Sequence, residues 1–523
     1  VPALVLALLV QVGAPSAAQD APVDLRVVGP PGAAIEPGLV GFNWRAGGAA
    51  VKPLRPRLVR SFGVRLAHIS PSPDVLDFVA ADAELDAVEA TGATPLVVLI
   101  ERPPWDAGAG SAGYERVVEA VLRHFLIDRP RAGHAPVWFE SGNEPEFPPT
   151  SHGQLPFELA ADVAAQVRAL VRVETAARLH ATYGGPGALF ADPAIAAAFV
   201  AAARNAGRLP DFISWHAYSN APLLGPDGPE DRSSPAALAA WELLHGTNPA
   251  ASPVVLGVGI DVIRAAVASA VLPGEDPPAL LITEWNLSSG GLDKRNDTYV
   301  GAAHTVAVLI EMHTRRLNGA TYFAAVDRHC SDPAANPGGT VFCGDWGTAS
   351  ATGQRKPAWY AFALWQALKG QVLQVDGTDP VGGLWAIATH DPADDTTRVL
   401  AASFSVAQPK ERRLRIDVGA ADVDREVRLR RVDALHPDGA ATTAEPLGRG
   451  VAAVSVVLPA NSVALVEVAA APRRDGGVVR ASGQPLLPAT GDRGSSGVLA
   501  ALAVATAILL DAVRRRAQDR ATR

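Results

Sequence analysis

Cysteine is nearly absent from this chain: its 523 residues include two, Cys330 and Cys343. A structural zinc site wants four ligands, and nothing near this pair supplies the others. The two cysteines enclose a short Pro/Gly-rich loop, SDPAANPGGTVF. In an exported protein they are expected to close it as a disulfide, worth about 3 kcal/mol on a chain-entropy estimate; two free thiols are the alternative. Positive charge is not in excess either. The net charge is −8 with both signs scattered, so no basic stripe marks a nucleic-acid partner. No repeat of solenoid period is visible, and no Gly-rich phosphate loop follows the first predicted strand, which argues against a doubly wound open sheet. No metal-ligand spacing is seen, and the chemistry inferred below requires no metal or organic cofactor.

What the chain does have is length and alternation. From about Leu39 to Gly370, short apolar runs alternate with amphipathic stretches. The predicted strands are Leu39–Asn43, Leu58–Phe62 or Val64–Ile69, Pro95–Ile100, Val137–Glu140, His180–Tyr183, Phe212–His216, Ala279–Thr283 and Thr321–Ala325. Between them, Tyr114, Val117, Val118, Val121, Leu122 and Phe125 fall on one face of a helix. Leu159, Val163, Val167, Leu170 and Val171 repeat that pattern, and Ala302–Leu317 reads as a further helix. Eight strand–helix repeats over residues 37–369 predict an α/β fold, a (β/α)8 barrel. After the helix Pro357–Leu368 the texture changes. Leu384–Thr389, Arg398–Ser405, Arg412–Val418, Glu426–Val432, Val451–Leu458 and Ser462–Val468 alternate apolar with polar residues, with no helix between them. They predict an antiparallel β-sandwich over residues 370–470, to which a strand from residues 22–29 can be added.

The two ends carry addresses. Leu4–Val10 is an apolar core followed by Ser16-Ala17-Ala18, so residues 1–18 are expected to be an export leader, although no basic residue precedes the core. Residues 471–496 form a polar stalk that includes Leu487-Pro488-Ala489-Thr490-Gly491. An apolar segment (497–513) and an Arg-rich tail (514–523) follow. The uninterrupted apolar run, Gly497–Leu510, has 14 residues. That is short against the roughly 20 a spanning helix needs, although arginines can snorkel from its end. Pentapeptide, apolar stretch and basic tail in this order resemble the sortase sorting signal of Gram-positive surface proteins. The resemblance implies cleavage between Thr490 and Gly491 and joining to cell-wall peptidoglycan. A plain C-terminal membrane helix is the alternative.

Two acidic tripeptides stand out in the barrel: Asn143-Glu144-Pro145 in VWFESGNEPEF and Glu284-Trp285-Asn286 in ALLITEWN. Each glutamate follows a short apolar run and opens a polar loop, the place where a barrel presents its chemistry. Two convergent carboxyl groups suffice to hydrolyse a glycosidic bond: one protonates the leaving oxygen, and the other attacks or activates water. An apolar neighbourhood of Val137, Trp138 and Phe147, with a negative Glu284 nearby, is expected to keep Glu144 protonated near neutral pH. A surface carboxylate is the ordinary reading of any single glutamate, and the pair is what argues against it.

Glu144 between asparagine and proline on a fourth strand, with a second glutamate ending the seventh, resembles clan A of the glycoside hydrolases. FISWHAYS, GGPG, TEWNLSSG and GQRKPAWYAFALWQAL make the chain most similar to family 39, the β-xylosidases and α-L-iduronidases. The resemblance covers about Leu39 to Val468. It implies that Glu144 is the acid/base and Glu284 the nucleophile of a retaining enzyme acting on an oligo- or polysaccharide. A β-glucuronidase or heparanase-like hydrolase is a second enzymatic reading. A non-catalytic, wall-attached carbohydrate-binding protein is a third, disfavoured by the presence of both glutamates.

Around the pair, Asn143 is expected to hydrogen-bond the sugar 2-hydroxyl; a turn residue before Pro145 is the alternative. His216 and Tyr218 alternate on one strand and so point to the same side, the phenol towards Glu284; for His216 a structural role is the alternative. Trp44, Trp105, Trp285 and Trp346 sit at strand ends or in loops, where they can stack on sugar rings or be core. Asp327 and Arg328 end the eighth strand and are candidate pocket walls. Arg65 and His68 are weaker candidates because family members carry a tighter Arg-x-His there. Lys294 and Arg295 are candidates for pairing with a uronate carboxylate, against a plain solvated loop.

Overall fold

The computed structural model describes residues 22–471, excepting 29–31, 36, 107, 147–155, 219–252, 292, 334–335, 406–408 and 420. The export leader, the stalk beyond Ala471, Thr490 and Gly491 of the pentapeptide, the apolar segment and the basic tail lie outside the described residues, as does Phe147.

Strand β1 (Val23–Val28) precedes eight strands that close into a parallel barrel in sequence order: β2 (Gly41–Asn43), β3 (Leu58–Ser61), β4 (Thr94–Leu99), β5 (Trp138–Ser141), β6 (Tyr183–Ala188), β7 (Phe212–Tyr218), β8 (Ala279–Asn286) and β9 (Gly319–Tyr322). Closure is made by Phe42 on β2 against Tyr322 on β9. Such strands are buried on both faces, which is why they read as unbroken apolar runs. Leu58, Leu96, Phe212 and Leu281 fill one layer of the barrel interior. The helices outside bury single stripes. In Ala112–Arg123, Tyr114, Val117, Val118, Val121 and Leu122 are buried, and the Ser111 side chain caps the helix by accepting from the Tyr114 N–H. Thr298 caps Tyr299–Thr314 in the same way through the Val300 N–H.

Three details differ from the sequence reading. The strand predicted at His180–Tyr183 runs instead from Tyr183 to Ala188, through the Gly-Gly-Pro-Gly segment. Glycine is a poor strand former, but here close approach demands it: a Cβ on Gly184 would lie 2.2 Å from the carbonyl oxygen of Phe212. Within Val64–Ile69, offered as an alternative second strand, Leu66–Ile69 is a single helical turn. Two further strands, β10 (Gln371–Asp376) and β15 (Ala441–Leu447), were not foreseen. β15 is an edge strand containing Pro446, and its run ATTAEPL carries little apolar signal.

The remaining strands are β11 (Leu384–Asp391), β12 (Thr396–Ser403), β13 (Arg412–Asp417), β14 (Arg425–Val432), β16 (Ala453–Leu458) and β17 (Ser462–Ala470). With β1, β10 and β15 they form one nine-stranded sheet in the order β15-β14-β17-β12-β11-β10-β1-β13-β16. Every pairing is antiparallel except β1 with β13. The sheet curls on itself, so that Leu25, Leu414, Ile416 and Leu458 share a core with Leu384, Val399 and Val466. Its central strands are buried on both faces. In β11, Leu384, Ala386 and Ala388 face this core, while Trp385 and Ile387 join the core of the barrel. Burying each such large side chain contributes about 1.5–3 kcal/mol, which holds the sheet against helix Tyr299–Thr314. Cys330 and Cys343 form a disulfide in the loop after β9.

Candidate active site

The carboxyl ends of β2, β3, β5, β7 and β8 converge on one polar cluster. Leu281 on β8 belongs to the interior layer, and strict alternation would then aim residue 284 outward. The β7–β8 register shifts so that Trp215 pairs with Ile282 but His216 pairs with Glu284, leaving Thr283 as an extra residue. This bulge turns Glu284 inward, as bulges beside functional sites do. Its neighbour Trp285 must therefore point outward. Trp285 is fully buried against Tyr322 and Phe362, so it is core rather than a sugar platform.

Glu144 is positioned by its backbone. It has φ of 45°, left-handed for a residue with a Cβ, which costs roughly 1–3 kcal/mol. Its N–H donates to the carbonyl of Gly187 on β6 at 2.7 Å. The His216 ring joins the two acids: Nδ1 lies 2.9 Å from Glu144 Oε1 and 3.7 Å from Glu284 Oε2. One oxygen of Glu144 and one of Glu284 are within 4.8 Å of each other. Both glutamates are largely buried, at 7% and 6% exposure.

Arg60, at the end of β3, organises the rest. Its Nη1 donates to Glu284 Oε1 at 2.6 Å and its Nη2 to Asn143 Oδ1 at 2.9 Å. Its Nε donates to Glu140 Oε2 at 2.5 Å. Burial alone would lower the pKa of this guanidinium, but Glu140 and then Glu284 more than offset it and raise the pKa. Asn43 accepts from Arg60 Nη1 at 3.2 Å and donates to the Thr283 carbonyl at 2.9 Å, locking the bulge. Tyr218 donates to Glu284 Oε2 at 2.5 Å, and burial, then Glu284, raises its pKa well above the phenol range. For His216, burial acts to lower the pKa, yet the nearby Glu284 and Glu144 carry it above its ordinary value.

Asn143, Glu144, His216, Tyr218 and Glu284 are thus brought together. Trp346 stands beside them: its ring meets Phe323 edge-on at 5.3 Å, and Phe323 meets Tyr218 at 6.3 Å. Trp105 lies elsewhere in the described contacts, its indole N–H donating to the Ser70 carbonyl at 3.0 Å beneath the Arg116 guanidinium. Trp44 packs into a small core with Val59 and Val88. Asp327 does not face the pocket. It is buried beneath the disulfide loop, accepting from Lys356 Nζ at 2.6 Å and the Gly347 N–H at 2.9 Å. Burial pushes its pKa up to about 7 against the pull of Lys356. Arg65 pairs with Glu101, and Arg295 is buried on Asp293.

Sequence reasoning missed Arg60, Asn43 and Glu140. A signal existed: LVRSF and VWFES each place a charge inside an apolar strand, which is tolerated when the charges meet. Arg60 also lies with its guanidinium 4.6 Å over the Phe62 ring. Glu144, His216 and Glu284 also span a distance one cation can bridge. However, Arg60 and Tyr218 already engage both Glu284 oxygens, and a guanidinium beside them disfavours a second positive charge.

No protein-family profile and no curated protein sequence matches the chain. Solved structures do match. The glucosidase from Croceicoccus marinus aligns with TM-score 0.63 at 21% identity, covering 87% of this chain and 100% of that one. A monomeric β-xylosidase from Caulobacter crescentus CB15 gives 0.64 at 19% identity, over 86% of this chain and 99% of that one. AbfB, a family 51 α-L-arabinofuranosidase from Bifidobacterium longum, gives 0.58 at 16% identity, over 86% and 99%. At these identities the likeness establishes the fold: a closed (β/α)8 barrel carrying an antiparallel-rich sheet.

Proposed function

We propose that this protein is a glycoside hydrolase that cleaves O-glycosidic bonds with retention, acting on a xylose-type or uronic-acid-type sugar. One observation carries the reading: the Glu144 and Glu284 oxygens approach within 4.8 Å. Retaining enzymes hold their carboxyl groups about 5–5.5 Å apart, whereas inverting enzymes need about 6.5–9.5 Å to admit a water. Glycosidases among the structural neighbours give the same direction.

The roles follow from the hydrogen bonds. Glu284 is held by Arg60 and Tyr218, two donors that aim it as a nucleophile. Glu144 shares a hydrogen bond with His216 and protonates the leaving oxygen. Attack by Glu284 gives a glycosyl ester, which neutralises that carboxylate. Glu144, now ionised, removes a proton from the water that releases the sugar, and the site is restored. Asn143, whose amide is oriented by Arg60, is placed to meet a sugar hydroxyl.

A panel of nitrophenyl glycosides tests the reading, with proton NMR of the first-formed anomer testing retention. Release of a sugar by the parent and none by Glu284→Ala is expected. A Glu284→Ala variant as active as the parent would refute the assignment, and glycan binding without turnover in the parent would favour a binding protein.

The proposal extends to location. The order of pentapeptide, apolar segment and arginines supports export, sortase processing at Thr490 and attachment to peptidoglycan. Mass spectrometry of wall-released protein should find Thr490 as the last residue; a chain ending at Arg523 would argue for a membrane helix instead.

A further inference from the structure

Arg45, on the loop leaving β2, differs from the other cations near the two glutamates. Arg60 is committed to Glu140, Glu284 and Asn143, and Arg295 to Asp293. Among the described residues no side chain accepts a hydrogen bond from the Arg45 guanidinium, which lies over the face of Phe323, 4.9 Å from the ring centroid. Phe323 in turn packs against Tyr218, the donor to Glu284. Two aromatic rings, Phe323 and Tyr218, therefore link Arg45 to the nucleophile, near enough for it to feel the Glu284 charge. Glu284 has little left to offer it, because its two oxygens already accept at 2.6 and 2.5 Å.

A like charge deepens this demand. Arg328, in the loop after β9, acts on Arg45 as a repelling neighbour, and its own exposed side chain has no acceptor among the described residues. Burial lowers the pKa of Arg45 more than Glu284, Tyr218 and Asp345 raise it. A half-buried guanidinium without an oxyanion loses solvation that the face of Phe323 repays only in part. Its planar fork of donors matches a carboxylate or a sulfate, each bound by two parallel hydrogen bonds. It is covered enough to value such a partner and open enough to receive one. Lys294 and Arg295, the basic pair the sequence suggested for this task, are less suited, since Arg295 is closed onto Asp293.

We propose that Arg45, backed by Arg328, is an anion subsite, and that the substrate is an acidic sugar whose carboxylate or sulfate ester pairs with Arg45 while its glycosidic bond lies between Glu144 and Glu284. The first half of this inference is independent of catalysis; the second rests on the glycosidase reading. The competing account is that Arg45 merely offsets the negative charge of Glu284 and Asp345 through space. That account predicts no selectivity for acidic sugars.

Calorimetric titration of the full chain with D-glucuronate, glucose 6-sulfate and D-glucose separates the two. Hydrolysis of matched nitrophenyl glucuronides, sulfated glucosides and glucosides of both anomers runs alongside. The parent should favour at least one acidic form by tenfold or more. Arg45→Gln should collapse the acidic-to-neutral ratio by about 10- to 100-fold, the range of a charge-assisted pair. Arg45→Lys, which keeps the charge but not the fork, should recover part of it, and melting curves show that both variants fold. Equal affinity of the parent for glucose and both acidic sugars overturns the inference, as does an Arg45→Gln variant weakened equally towards all three. Acidic sugars bound but never released from glycosides would sink the glycosidase reading and leave the subsite standing. Neutral glycosides cleaved without acidic preference would do the reverse. The arm that responds, carboxylate or sulfate, identifies the group.

Discussion

Arg60 joins Glu284 to Glu140 through one guanidinium, with bonds of 2.6 and 2.5 Å to the two carboxylates. All three groups are buried, so each charge relies on the others. Removing one partner of a buried ion pair leaves an uncompensated charge and typically costs about 3–5 kcal/mol. Arg60→Met should lower the unfolding midpoint by that equivalent in urea titration and abolish turnover together. Arg60→Lys should recover little, since a single ammonium cannot reach Glu140, Glu284 and Asn143 at once. A Met variant as stable as the parent would show that this network is not what holds the barrel mouth.

The Tyr218 phenol is the second donor to Glu284. Tyr218→Phe keeps the ring packed on Phe323 and removes only the hydroxyl. Hydrogen bonds to charged groups contribute roughly 1.5–3 kcal/mol, so kcat/KM should fall about 10- to 100-fold. Steady-state kinetics on the best nitrophenyl glycoside checks this, and a loss below threefold would mean that Arg60 alone orients the nucleophile.

Glu144→Gln should lose activity according to the leaving group. General acid catalysis supplies about 10²–10⁴-fold, needed for a sugar leaving group and far less for a nitrophenolate. A uniform loss on both substrate types contradicts the acid role. The pH profile adds a second check. The raised His216 pKa means the proton shared with Glu144 is held above the usual imidazole range, and the pair titrates as a unit. The alkaline limb of kcat/KM should move to lower pH in His216→Asn.

His304, on helix Tyr299–Thr314 against Phe404, governs acid stability. Burial and then Arg295 lower its pKa to about 3. The neutral ring is favoured in the fold, so its contribution is fully present above an unfolded pKa of about 6.5 and is lost as pH falls towards 3. Between pH 6.5 and 5 this amounts to about 2 kcal/mol. Asp327, raised to about 7, acts in the opposite sense, favouring the fold as pH falls from 7 towards the ordinary carboxylate range. Thermal melts at pH 6.5 and 5 isolate the histidine: His304→Gln should lose less stability on acidification than the parent. Equal losses in both would exclude His304 as the cause.

The chain announced its barrel through eight apolar runs and its curled sheet through alternation, because burial on two faces and on one leave different periodicities. It announced two glutamates because each follows a short apolar run and opens a polar loop. Local sequence had no means of showing that Thr283 is a bulge, since register is set by pairing with β7 rather than by β8 itself. That one residue decides that Glu284 points into the barrel and Trp285 out. In the same way, Arg60 and Glu140 were visible as charges within apolar strands, but only closure of the barrel makes them partners. Asp327, a plausible pocket wall at a strand end, was claimed by Lys356 from a loop the sequence places far away. Element type and the identity of the acids were determined by short-range pattern. Which side chains face the sugar was decided by packing, because alternation fixes relative direction along a strand and only tertiary contact fixes which direction is inward.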